Sequence, residues 1–154
     1  MIGAELDGLG KRSRSYLDSI VVGTDPQIAT LLHRYMCILI SANIDKSIQL
    51  ILAEYARTRA TPEMMRYVSK QHGRGRNFNT EAIISTLSQF DPAWGHRFSE
   101  EAVRTDLKER LDSIAGIRNS IAHGELVNVS RPSLDGYFDA SQRAVALVRT
   151  IMGV

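Results

Sequence analysis

RYMCILISANIDKSIQLILAEYAR, residues 34–57, decides the fold. Its β-branched residues recur at helical spacing and do not alternate, so the stretch reads as helix, not strand. The helix extends outward in both directions. Upstream, TDP at 24–26 supplies a capping residue and then a proline at the first helical position. Downstream, Thr61-Pro62-Glu63 restarts the chain as a new helix. A long helix from about 26 to 58 is therefore expected, with Ile28, Leu31, Leu32, Tyr35, Ile38, Leu39, Ile48, Leu52 and Tyr55 among its apolar positions. Between Tyr35 and Leu52 only Asp45 and Lys46 carry charge, and Asp45 shares a helix side with Ile38, Ala42 and Leu52.

The same periodicity governs the rest. A short helix is expected over 3–20 and another from 62 to about 70. QHGRGRN, with Gly73 and Gly75, reads as a loop, and Asn77 or Asn79 caps a helix ending near Phe90. DPAWG is read as a break. Ser99, followed by Glu100 and Glu101, then opens a helix to about 123, roughly 37 Å long at 1.5 Å per residue. A last helix is expected over about 132–152, with Gly136 weakening its start. The whole is all-α, a bundle of about five to six helices with two long ones packed together. It forms one domain over 1–154, with its core at about 26–152 and residues 1–25 as an N-terminal extension.

Composition narrows the function classes. The chain has 154 residues, 44% apolar and 23% charged, with a formal net charge of +2. This mild basicity permits an anionic partner without demanding one. The single cysteine, Cys37, lies in an apolar run and suits a core position and a reducing compartment. MIGAELDGLGKRSRS lacks the apolar centre of a secretory signal, and no apolar run approaches the ~20 residues that span a bilayer. A cytoplasmic protein with no membrane association is expected. No GxxxxGK, CxxC or HExxH pattern occurs, which disfavours P-loop nucleotide hydrolysis and zinc chemistry. No cofactor or metal is expected.

The chemistry-bearing stretch is GIRNSIAHGEL, residues 116–126. On the expected 99–123 helix, Val103, Leu107, Ile114, Ile117 and Ile121 form one stripe, with Arg118 at its margin. Asn119 and His123 lie four apart on a more polar face. A guanidinium beside a core is costly unless paired. Asp45, on the edge of the other long helix, is the expected partner; the pair would aim Arg118 and leave some of its five donors free. His123 in the last turn can give and take a proton near neutral pH. An arginine able to bind phosphate and a histidine able to move a proton suit metal-free cleavage of RNA, which carries its own nucleophile in the 2′-hydroxyl. Arg118 would stabilise charge on the phosphorane. His123 would take the 2′-hydroxyl proton or supply one to the 5′-oxygen.

RNSIAHG resembles the signature of HEPN domains: an arginine, a polar residue after it, and a histidine separated from the arginine by four to six residues. Arg118, Asn119 and His123 match, with four intervening residues. Residues 34–57 resemble the long helix of the RiboL-PSP type, with a small residue, an acid and a lysine, then an apolar run ending near Glu-Tyr. FDPAW and the asparagine-containing segment before it also fit, so the resemblance covers roughly 27–150. It implies a helical bundle that dimerises and brings two Arg–His motifs into one cleft. It also implies a metal-independent endoribonuclease that leaves a 2′,3′-cyclic phosphate, in a toxin–antitoxin or antiviral defence setting with an antitoxin or defence partner. Asp45 becomes its acidic support. Some members of the family are non-catalytic, and an RNA-binding or partner-binding module is the second reading.

Other residues carry smaller expectations. Lys46, Lys70, Arg74 and Arg76 are candidates for contact with RNA phosphates. Lys11, Arg12 and Arg14 read as a solvated face, His33 as a core or interface histidine, and Glu125 as an exposed acid. Phe90, Trp94 and Phe98 are expected to lock one corner of the bundle.

Overall fold

The computed structural model describes residues 2–73 and 75–154. Among them are seven helices and no strand: α1 (Ile2–Asp18), α2 (Pro26–Arg59), α3 (Pro62–His72), α4 (Thr80–Ser88), α5 (Pro92–Arg104), α6 (Leu107–Ala122) and α7 (Arg131–Met152).

The 34-residue α2 is the axis of the bundle. Asp25 caps it by accepting from the backbone N–H groups of Gln27 and Ile28, and Pro26 occupies the first turn, where its missing N–H costs nothing. Met36, Cys37, Ile40, Ile44, Ile48, Ile51 and Leu52 are buried at the three- and four-residue spacing of one helical face. That face packs on α1, α3, α6 and most extensively on α7. The long partner of α2 is therefore α7, 22 residues long, and not the motif-bearing helix expected over 99–123. Burial pushes the Cys37 thiol up to about 11, as expected of a core cysteine. By length and composition α2 is apolar enough to cross a membrane, which corrects the reading that no segment is; half of its apolar window is buried by the other helices.

Two boundaries differ from expectation. DPAWG starts a helix and does not break one: Asp91 accepts from the Ala93 N–H, Pro92 takes the first position, and α5 runs on through Trp94 and Gly95. The expected helix over 99–123 is instead two, divided at Thr105–Asp106. Thr105 is extended, its hydroxyl donates to the Glu101 carbonyl, and the same oxygen accepts the Leu107 N–H. The hydroxyl thus takes up backbone groups left over at the break. Arg143 on α7 holds Asp106 at 2.7 Å. Val103, placed on the buried stripe by the single-helix reading, is exposed, whereas Leu107, Leu111 and Ile114 are buried.

The aromatic corner forms with a change of membership. Tyr55 meets the edges of both Phe90 and Trp94, with centroids 5.8 and 5.3 Å apart, while Phe98 is fully buried in the main core. The N-terminal basic cluster is partly structural: Arg14 donates to Asp18 and to Asp135 at 2.9 Å, tying α1 to α7.

Candidate functional site

The site is built where the C-terminal half of α6, the middle of α2 and the segment 75–79 meet. Segment 75–79 enters from α3 and must present unpaired N–H groups before α4 begins. Asp45 on α2 accepts two of them, Asn77 N–H at 3.0 Å on one oxygen and Phe78 N–H at 2.8 Å on the other. Gly75 passes so close that a Cβ there would stand 3.1 Å from the same carboxylate.

This corrects the expected ion pair. Asp45 does not hold Arg118; both of its oxygens are taken by backbone donors 32 and 33 residues downstream. Two consecutive N–H groups are a better match for a half-buried carboxylate than a guanidinium that must be drawn away from water. Arg118 is half-buried, and its only side-chain bond among the described residues is a long one, Nη1 to Asn119 Oδ1 at 3.4 Å. No carboxylate lies within ion-pairing distance of it among the described residues.

Asn119 connects the motif to the rest. Its Oδ1 accepts from Asn77 Nδ2 at 2.8 Å; the same Nδ2 reaches the Ala115 carbonyl at 3.2 Å, and Ser41 Oγ donates to Asn77 Oδ1 at 2.9 Å. Asn77 therefore touches α2, through Ser41 and Asp45, and α6, through Ala115 and Asn119. Its backbone has φ +52, the only positive φ outside glycine among the described residues. Sequence reasoning offered Asn77 only as a possible helix cap; Asn79 fills that role, accepting from Ala82 N–H. An asparagine just after a Gly-Arg-Gly-Arg run was the available signal, since asparagine tolerates the left-handed region best after glycine.

His123 closes α6. Its backbone N–H donates to the Asn119 carbonyl at 3.0 Å, and its side chain is exposed. Gly124 follows at φ +80, a left-handed stop. The segment after it is pinned to α2: Arg34 Nε donates to the Val127 carbonyl and His33 Nδ1 to the Val129 carbonyl, both at 2.7 Å. A carbonyl can only accept, so His33 carries its proton on Nδ1. His33 is a bridge between α2 and the loop after the motif.

The family model for RiboL-PSP-HEPN matches residues 11–152. The chain belongs to this family. Comparison with curated proteins and with solved structures found no match. The match takes in the second half of α1, from residue 11 onward, which the motif-based resemblance had left outside.

Other candidates of the HEPN domain lie around this site. Lys46 is exposed and lines a shallow cavity with Gln49, His72 and Gly73. Lys70 is exposed in the last turn of α3, and Arg76 is exposed with Nη2 on the Gln71 carbonyl. Arg74 lies outside the described residues. Glu125 is exposed, and its backbone N–H donates to the Ser120 carbonyl.

Proposed function

We propose that this HEPN domain is a metal-independent endoribonuclease that cuts RNA by attack of a 2′-hydroxyl on the adjacent phosphorus. The O2′–P bond forms, the bond to the 5′-oxygen breaks, and the products are a 2′,3′-cyclic phosphate and a 5′-hydroxyl. Arg118 stabilises the extra charge on the phosphorane, and His123 transfers a proton, from the 2′-hydroxyl or to the departing oxygen. Lys46, Lys70 and Arg76 contact flanking phosphates without reading sequence.

The observation that carries this reading is Arg118. A half-buried guanidinium with no carboxylate partner among the described residues, one helical position from an exposed amide, keeps donors for an anion. Its membership in a family of HEPN domains supports an RNA-related role.

One copy does not complete the site. Arg118 and His123 are five positions apart, about 140° around a helix at 100° per residue, so a single α6 does not aim both at one phosphate. A second copy supplies the missing half. The apolar stripe Ile28, Leu31, Leu32, Tyr35 and Ile38 on α2 is exposed, and it leads to the loop after His123 through Arg34. The reading places the homodimer in the cytoplasm, in a toxin–antitoxin or antiviral defence setting that the family resemblance suggests.

The test is cleavage of single-stranded RNA in excess EDTA by the wild type, His123→Ala and Arg118→Ala. The wild type should leave cyclic-phosphate ends, and each variant should fall by about a hundredfold or more. Equal background in all three, with RNA still bound, removes the enzyme and leaves the interaction module.

A further inference from the structure

The amide orientations at the site follow from one atom whose identity is beyond question. The Ala115 carbonyl oxygen can only accept, so the Asn77 side-chain atom 3.2 Å from it is the NH2 group. The opposite end of that amide is then oxygen, which suits the Ser41 hydroxyl at 2.9 Å. The NH2 group has a second proton, and the Asn119 atom 2.8 Å away must accept it. That atom is therefore Oδ1, and Arg118 Nη1 leans on the same oxygen. The flipped Asn119 would set two NH2 groups against each other and a third donor beside them.

The consequence lies on the other end of Asn119. Its NH2 group has no partner among the described residues, the residue is exposed, and it sits one turn before His123. We infer that Asn77 is a positioning residue, which locks the Asn119 amide with its NH2 group outward as a donor to a phosphate oxygen. This rests on the ribonuclease reading for the identity of the anion, but the lock itself does not. Asn119 then offers the substrate a donor and never an acceptor. The left-handed backbone at Asn77 fits the same account. It allows two consecutive N–H groups to face Asp45 while the side chain turns to α6.

Asn77→Gly tests this, because glycine adopts φ +52 without strain and keeps both N–H groups on Asp45, while the amide is lost. The first readout needs no RNA. In ¹⁵N-labelled wild type the Asn119 side-chain NH2 pair should be dispersed and rigid by heteronuclear NOE; in Asn77→Gly it should collapse toward free-amide shifts and become mobile. An unchanged Asn119 pair overturns the inference. The second readout is kinetic: Asn77→Gly should raise KM for single-stranded RNA about tenfold, the order of one hydrogen bond to a charged group, and leave the pH profile of kcat in place. A fall in kcat at constant KM marks a merely structural role and overturns the positioning role. If the amide is released by the substitution but the wild type cleaves no RNA, the lock stands and the ribonuclease reading falls.

Discussion

At the scale of single residues, two polar groups, the half-buried Asp45 and the buried His72, make opposite demands. Asp45 is satisfied on both oxygens, and its worth is in holding segment 75–79 on α2. Asparagine at 45 offers one oxygen and turns an NH2 group against the second backbone donor. Asp45→Asn should therefore cost about 1.5–3 kcal/mol, the range for a lost bond to a charged group, read as a lower urea midpoint with an unchanged slope. An unaltered midpoint would show that the carboxylate anchors nothing. His72 is the reverse case. It is 8% exposed, its Nδ1 has no partner, and its ring lies 5.8 Å from Phe90. Desolvation first, and the nearby Arg76 second, hold its pKa below the ordinary value, and Lys46 lines the same cavity. As pH falls below about 6.5, the unfolded chain takes up a proton that the folded chain refuses, so stability drops until the folded pKa is passed. His72→Leu should flatten this part of the profile. The difference in urea midpoint between variant and wild type should grow from pH 7.5 to pH 5.5 in favour of the variant, and a constant difference would rule the group out.

At the scale of elements, close approach explains what composition misread. Gly95 lies inside α5, where a glycine costs about 1 kcal/mol relative to alanine, and the sequence reading took it for a break. A Cβ there would collide with Ser88 Oγ and stand 2.9 Å from the Ile84 carbonyl on α4. The glycine lets α4 and α5 touch. Gly95→Ala should accordingly destabilise by about 1–3 kcal/mol, as overpacking does, against its helix propensity. Ser88→Ala should not restore it, because the Ile84 carbonyl remains; a rescued melting temperature in the double variant would place the clash on the serine alone. Elements whose ends carry their own signal were legible: Asp25-Pro26, Thr61-Pro62 and Asn79 each cap as local chemistry dictates. The division between α5 and α6 was not, because the bond from the Thr105 hydroxyl to the Glu101 carbonyl is one a threonine also makes inside an unbroken helix, and Arg143, which holds Asp106, is distant in sequence.

At the scale of the whole molecule, periodicity gives an apolar face but not what covers it. The stripe beginning at Ile28 was read with the core of α2, yet Leu31 is 62% exposed and Tyr35 54%, while Ile44 and Ile51 on the same helix are buried. The motif was legible for a related reason: Arg118, Asn119 and His123 are local in sequence, whereas the wiring of Asp45 and Asn77 depends on a loop folding back across two helices. Leu126, 86% exposed just beyond the motif, adds apolar surface where the site opens. Exposed apolar side chains of this kind are what an interaction surface needs, and the proposed homodimer would cover the stripe and complete the half-site on α6. Leu31→Glu places a charge in the middle of that stripe without touching the core. The wild type should sediment as a dimer and the variant as a monomer, with helix content and cooperative unfolding retained at matched low concentration. RNA cleavage, where the wild type shows it, should fall with the dimer and recover at protein concentrations high enough to restore it. A wild type that remains monomeric across the micromolar range, or a monomeric variant that cleaves at full rate, would refute the shared cleft.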